Sequence, residues 1–146
     1  MVFKNEKQLK RFILSKCQSA IIKAQEKVYR IIDLHIRRFY DDYDPVMYER
    51  TYQLMNSLVK SNIRSTGDGY EAEVYFDLSS IGYDTGRQPS GEQVMGAAAY
   101  GGHGATELKV VYGGGADIWH TPKDILDMEA IGILVQELNA AGIPIK

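Results

Sequence analysis

Cysteine is almost absent: Cys17 is alone in 146 residues. No disulfide can form within the chain, and a reducing interior is the expected setting. Histidine is nearly as scarce, with three residues. There is no HExxH, no CxxC and no close His pair, so the spacings of a common metal site are missing. No apolar run approaches the roughly 20 residues that a membrane span needs. The first residues carry Lys4, Lys7, Lys10 and Arg11 rather than an apolar run, which argues against a secretory leader. No internal repeat or low-complexity tract is visible. What remains is ordinary for a soluble globular chain, at 45% hydrophobic and 25% charged residues, and the length suits one domain.

The net charge of −2 hides a division. Residues 1–66 hold 13 Lys/Arg against 7 Asp/Glu, a balance of +6; residues 67–146 hold 4 against 12, a balance of −8. Opposite poles on one chain favour head-to-tail contact between copies. The plainer reading is a basic helix followed by an acidic remainder.

Neither proline nor glycine interrupts residues 4–40. Leu9, Ile13, Cys17, Ala20, Ala24, Val28, Ile31, His35 and Phe39 follow one another at steps of three and four. This spacing predicts one long helix with an apolar face. Its span of about 50 Å exceeds the width of a small domain, so it must wrap a core, break or pack on another copy. Phe12, Ile21, Ile32 and Ile36 widen the stripe, which predicts contact on more than one side. Asp44-Pro45 then marks a new helix start over 45–56, with Asp44 as N-cap.

After Asn56-Ser57 the period falls to two. Leu58, Lys60, Asn62 and Arg64 alternate with Val59, Ser61, Ile63 and Ser65. TGDG at 66–69 is a turn signal, and Tyr70, Ala72, Val74 and Phe76 alternate with polar neighbours. Residues 58–77 therefore predict an antiparallel hairpin with one buried face. Residues 78–91 read as a mobile loop or contact arm. Ser90 predicts the cap of a short helix over 92–99, and a strand is expected at 107–112. Thr121-Pro122 opens a C-terminal helix, 122–141, whose stripe is Ile125, Met128, Ile131, Val135 and Leu138. Gly142 ends it. Ile143-Pro144-Ile145 suggests a short edge strand. The fold class is α+β: a long N-terminal helix and a C-terminal helix packed on a small antiparallel sheet.

Chemistry is thinly signalled. His103, Asp117 and His120 can be drawn together as a site, and YGGHG (100–104) and YGGGAD (112–117) offer backbone N–H groups to a phosphate. Neither loop matches a nucleotide-binding pattern. Cys17 lies on the helical stripe, which suits burial better than nucleophilic work. Asp41, Asp42 and Asp44 sit before a helix start, where they favour the dipole. The basic first helix is also a candidate nucleic-acid surface, but Glu6, Glu26 and Asp33 interrupt it.

The order of parts, with Tyr48-Glu49-Arg50-Thr51-Tyr52-Gln53-Leu54-Met55-Asn56-Ser57-Leu58 at the joint, resembles the small tail-completion or head–tail joining (neck) proteins of long-tailed double-stranded DNA phages and prophages. The segment SGEQVMGAAAYGGHG looks like the form found in Gram-positive phages. The resemblance implies a non-enzymatic structural protein without cofactor or metal. Copies of it would form a ring in the virion, assembled in the host bacterial cytoplasm. Its partners would be itself and other head, neck or tail proteins, with viral DNA passing through the ring and no specific nucleic acid or membrane bound. It makes Arg50, Thr51, Leu54, Ser57, Arg87 and His103 the candidate assembly and structural residues. The alternative is a small intracellular enzyme or ligand-binding domain built on His103, Asp117 and His120. A third reading is a basic-helix nucleic-acid binder.

Overall fold

A computed structural model describes residues 2–41, 52–82, 90–99 and 120–145. The order is α1 (Glu6–Asp41), α2 (Gln53–Asn56), β1 (Leu58–Lys60), β2 (Arg64–Ser65), β3 (Tyr70–Glu71) and β4 (Val74–Phe76). A 3-10 turn (Leu78–Ser80), α3 (Gly91–Ala99) and α4 (His120–Ala140) complete it. The class is α+β, as expected: a long first helix, a last helix and a small antiparallel sheet.

Helix α1 runs 36 residues, about 54 Å. Asn5 starts it: its Oδ1 accepts from the Gln8 N–H at 3.0 Å, and Gln8 Oε1 accepts from the Lys4 N–H at 3.0 Å. The first bond satisfies a donor that the first turn would otherwise leave open, and the second ties the residue before the cap to the helix. Ala20, Ala24, Ile32 and Ile36 are its buried residues. The spacing predicts Ile31, His35 and Phe39 as the inward face of the second half, but Ile32 and Ile36 hold it, while Ile31 and His35 are half-buried. Steps of four along a helix drift around its surface, so a neighbour that crosses it obliquely follows such a row.

The hairpin lies along α1 in the opposite direction. Leu58 packs with Ile32 and Ile36, Lys60 reaches Glu26 at 2.6 Å, and Asp68 at the tip meets Lys10 at 2.9 Å. Strands β1 and β4 pair with Leu58 opposite Phe76 and Lys60 opposite Val74. Strands β2 and β3 pair with Arg64 opposite Glu71. Between the two ladders, residues 61–63 face residues 72–73, so the first strand carries one extra residue. A bulge of this kind reverses the faces of the residues beyond it. Arg64 therefore leaves the side of Leu58 and Lys60, where strict alternation predicts it, and pairs outside with Glu71 at 2.8 Å and Glu73 at 3.3 Å.

Gln25 of α1 sits at this interruption. Its amide donates to Ser61 O and to Glu73 O, each at 2.9 Å. Ser61 closes the gap from the other side, with its N–H donating to Glu73 O and its Oγ accepting from the Glu73 N–H, both at 2.9 Å. The bulge is thus stitched to the helix, and neither of these two carbonyls is left to water alone.

Two groups of buried side chains form the core, and Tyr40 and Phe76 touch both. One centres on Ile32, Ile36 and Leu58, with Leu126 of α4 packed against it; the other on Leu54 and Ile81, with Val94 and Met95 of α3. Ile81 and Gly82 belong to the segment that reads as a mobile loop. Instead Ile81 is buried and the Gly82 N–H donates to Gln53 Oε1 at 2.9 Å, so the segment is anchored up to that point. Residues 83–89 lie outside the described residues.

Ser90 and Gln93 cap α3 reciprocally, at 2.9 and 3.3 Å. The helix begins at Gly91, where an added Cβ would lie 2.1 Å from Leu78 O. Only glycine admits so close an approach of α3 to the 3-10 turn.

Helix α4 packs against α1 in the opposite direction, with Leu126 by Ile32 and Ile36, and Glu137 paired with Lys27 at 2.6 Å. It starts two residues before the predicted position, with Pro122 in the first turn, where its missing N–H costs nothing. Gly142, at φ 88°, ends it, and the Ile143 N–H donates to Leu138 O at 2.9 Å. Ile143-Pro144-Ile145 forms no strand; the Ile145 N–H donates to Asn139 Oδ1 at 2.8 Å. The inward face of α4 is Leu126, Ile133 and Glu137. Of the predicted stripe, Ile125, Val135 and Leu138 are half-buried, whereas Met128 and Ile131 are 85% and 78% exposed.

Candidate functional site

The joint between α2 and the hairpin is the first candidate. Tyr52 opens it in the left-handed region, at φ 55°. This is an uncommon conformation for an aromatic residue, held here by its surroundings. The Tyr52 ring lies 5.1 Å from that of Tyr40, at the end of α1. Tyr52 O accepts from the Asn56 N–H at 2.9 Å, which closes the single turn of α2.

Ser57 then converts helix into strand. Its N–H donates to Gln53 O at 2.9 Å, its Oγ donates to Leu54 O at 2.8 Å, and its own carbonyl accepts from the Asp77 N–H at 2.7 Å. One residue thus ends the helix with two groups and begins the ladder with a third. Ser57 is 1% exposed, so a side chain that is both small and hydrogen-bonding fits the position. Leu54 is buried against Ile81, three residues earlier on the inward side.

Of the candidate residues, the structure brings Leu54 and Ser57 together in this joint. Arg50, Thr51, Arg87 and His103 lie outside the described residues, as does Asp117. His120 is the first residue of α4. The predicted 45–56 helix is described only from Tyr52 onward, and the predicted strand at 107–112 lies outside the described residues. Cys17 is half-buried on α1. Among the described residues no group of three His, Cys, Asp or Glu is arranged to hold a metal, and no helix is long and apolar enough to cross a membrane.

The second candidate is the outer surface of the helices. Leu9 and Ile13 continue the stripe that Ala20 and Ala24 bury, yet each is 40% exposed. On α4, Met128 and Ile131 are a second exposed apolar pair, while Ile125, Val135 and Leu138 of the same stripe are half-buried. A helix with apolar residues on both of its sides suits burial on both. Charges around these strips differ in sign. Residues 1–25 hold 6 Lys/Arg and 1 Asp/Glu, whereas α4 holds Lys123 against Asp124, Asp127, Glu129 and Glu137.

Ion pairs tie the helix to its own hairpin at two points. The Glu26 carboxyl is held below its ordinary range, first by the hydrogen bond from Lys60 and then by that from Arg30. The Asp68 carboxyl is lowered in the same way by Lys10. The Lys60 ammonium also lies 4.7 Å from the Tyr29 ring centroid, over its face. Sequence reading missed Gln25 and Glu26, because a polar residue on a helix flank looks solvated until the element beside it is known.

No curated protein and no solved structure matches the chain. The family model YomN matches residues 5–131. That span runs from the residue that caps α1 into the middle of α4 and takes in the hairpin and the joint. The chain belongs to the YomN family, a phage-related family whose namesake is a Bacillus prophage-associated protein.

Proposed function

We propose that the chain is a non-enzymatic virion assembly protein that forms a ring at the head–tail junction or the tail end. Membership of a phage-related family supports the setting. The observation that carries the assembly role is the overlong first helix, whose apolar stripe continues at Leu9 and Ile13 beyond the cover of its own core. A member of a ring would use such a strip to hold a neighbour. In this reading the partners are other copies and adjoining head, neck or tail proteins, and viral DNA passes through the ring.

Electron microscopy of particles from an induced prophage that lacks the gene tests it. Separate full heads and tails are expected for a joining role, and unstable or overlong tails for a terminating one. Normal, infectious virions would overturn the reading.

A further inference from the structure

We propose that the outer face of α4 in one copy docks on the first half of α1 in the next, so that the contact is head-to-tail and repeats. The inference rests on the ring reading and names the two surfaces that would build it. On α4, Met128 and Ile131 stand 85% and 78% exposed. Asp124 lies four residues before Met128 and Asp127 four before Ile131, so both carboxylates edge the same face, with Asp127 also paired to Lys123 of its own helix. On the first half of α1, Leu9 and Ile13 are each 40% exposed and Ile22 is 47% exposed. Lys16 and Lys23 lie three residues beyond Ile13 and Ala20, on one flank of that stripe.

Charge selects the occupant. Two α4 faces brought together would oppose carboxylates, and two α1 faces would oppose lysines; like charges in contact cost several kcal/mol. The unlike pairing places an apolar pair on an apolar pair, with acidic edge on basic edge. The two surfaces are different patches of one chain, so the contact is heterologous. A heterologous contact between identical copies closes into a ring when its rotation allows.

Cross-linking between separately made variants tests the pairing. In a Cys17→Ser background, one protein carries Ile13→Cys and another Ile131→Cys, and the two are mixed under a mild thiol oxidant. Disulfide-linked dimers between unlike variants are expected, and a chain carrying both substitutions should give a ladder of linked copies. Adding D124K/D127K to the Ile131→Cys protein should cut the yield about tenfold, and adding K16E/K23E to its partner should restore it. Dimers between like variants only, or no cross-link at any concentration, would overturn the proposal. So would a yield insensitive to the charge reversals. Immunodetection of the protein in purified particles judges the virion role separately. Particles that contain the protein, with no unlike cross-link, would remove this interface and leave that role standing.

Discussion

The two halves of α1 have the same kind of sequence and different fates. Between Ala24 and Asp41, apolar residues at helical spacing are enclosed by the hairpin, by α2 and by α4, and Ile36 is 0% exposed. Between Glu6 and Lys23, Ala20 is still fully buried, but Leu9 and Ile13 are each 40% exposed, and the contacts there include the hairpin tip at Lys10 and the Phe3 ring, 5.2 Å from Phe12. A three-four period is therefore a statement about chain geometry. It says which residues share a face, and it does not say whether this chain or another covers that face.

The difference can be pressed hardest by shortening one side chain in each half. Ile36→Ala removes a fully buried branch from the centre of the core and should cost about 3 kcal/mol in urea unfolding at low protein concentration. Ile13→Ala should stay within about 0.5 kcal/mol under the same conditions. Equal losses would mean that the first half is as enclosed as the second.

A smaller effect should come from the stitch between helix and hairpin. Gln25→Ala leaves Ser61 O and Glu73 O without the donors that α1 supplies. Both carbonyls keep some access to water, so a loss of about 1–2 kcal/mol is expected. Amide exchange at Ser61 and Glu73 should quicken more than at Leu58. A uniform change would show that the bulge does not depend on the helix.

The smallest effect is electrostatic and sharpens the comparison by pH. Glu26 is lowered from 4.5 by Lys60 and Arg30. A depressed carboxyl pKa contributes stability that is present above 4.5 and lost as pH falls through the folded value. Glu26→Gln should therefore lower the melting temperature slightly at neutral pH, and the gap to the parent protein should close in acid. The pair is exposed, so added salt should narrow the gap as well. A gap that widens in acid would assign Glu26 a different role.

Much of the fold was legible because it is local. Ser90 and Gly142 each bound a helix through atoms a few residues apart, so the pattern and the structure coincide; the Asn5 cap works the same way, but sequence reading missed it. The hairpin ends were legible for the same reason. The bulge was not: nothing in Lys60-Ser61-Asn62-Ile63 announces an extra residue, because its partner is an amide 36 positions earlier. Arg64 was assigned to the wrong face in consequence. The α4 stripe failed differently. Ile125, Met128, Ile131, Val135 and Leu138 do share a side, but Leu126 packs on the Ile32–Ile36 cluster and Ile133 is buried, while Met128 and Ile131 stay exposed. Of the candidate site, Ser57 was legible as the place where period changes. The Tyr52 backbone that precedes it was not, since a left-handed aromatic residue leaves no mark in composition.

By itself the amino-acid order determined where Ser90 caps α3 and Gly142 ends α4, where the hairpin turns, and how opposite charge is divided between the two ends. Backbone hydrogen bonding and capping act over a few residues, so those outcomes need no distant partner. Tertiary structure alone decided which of two apolar sides of α4 faces inward, which half of α1 is enclosed, and which side of the hairpin receives Arg64. Burial depends on what lies across the gap, and that surface is assembled from residues far away in the chain.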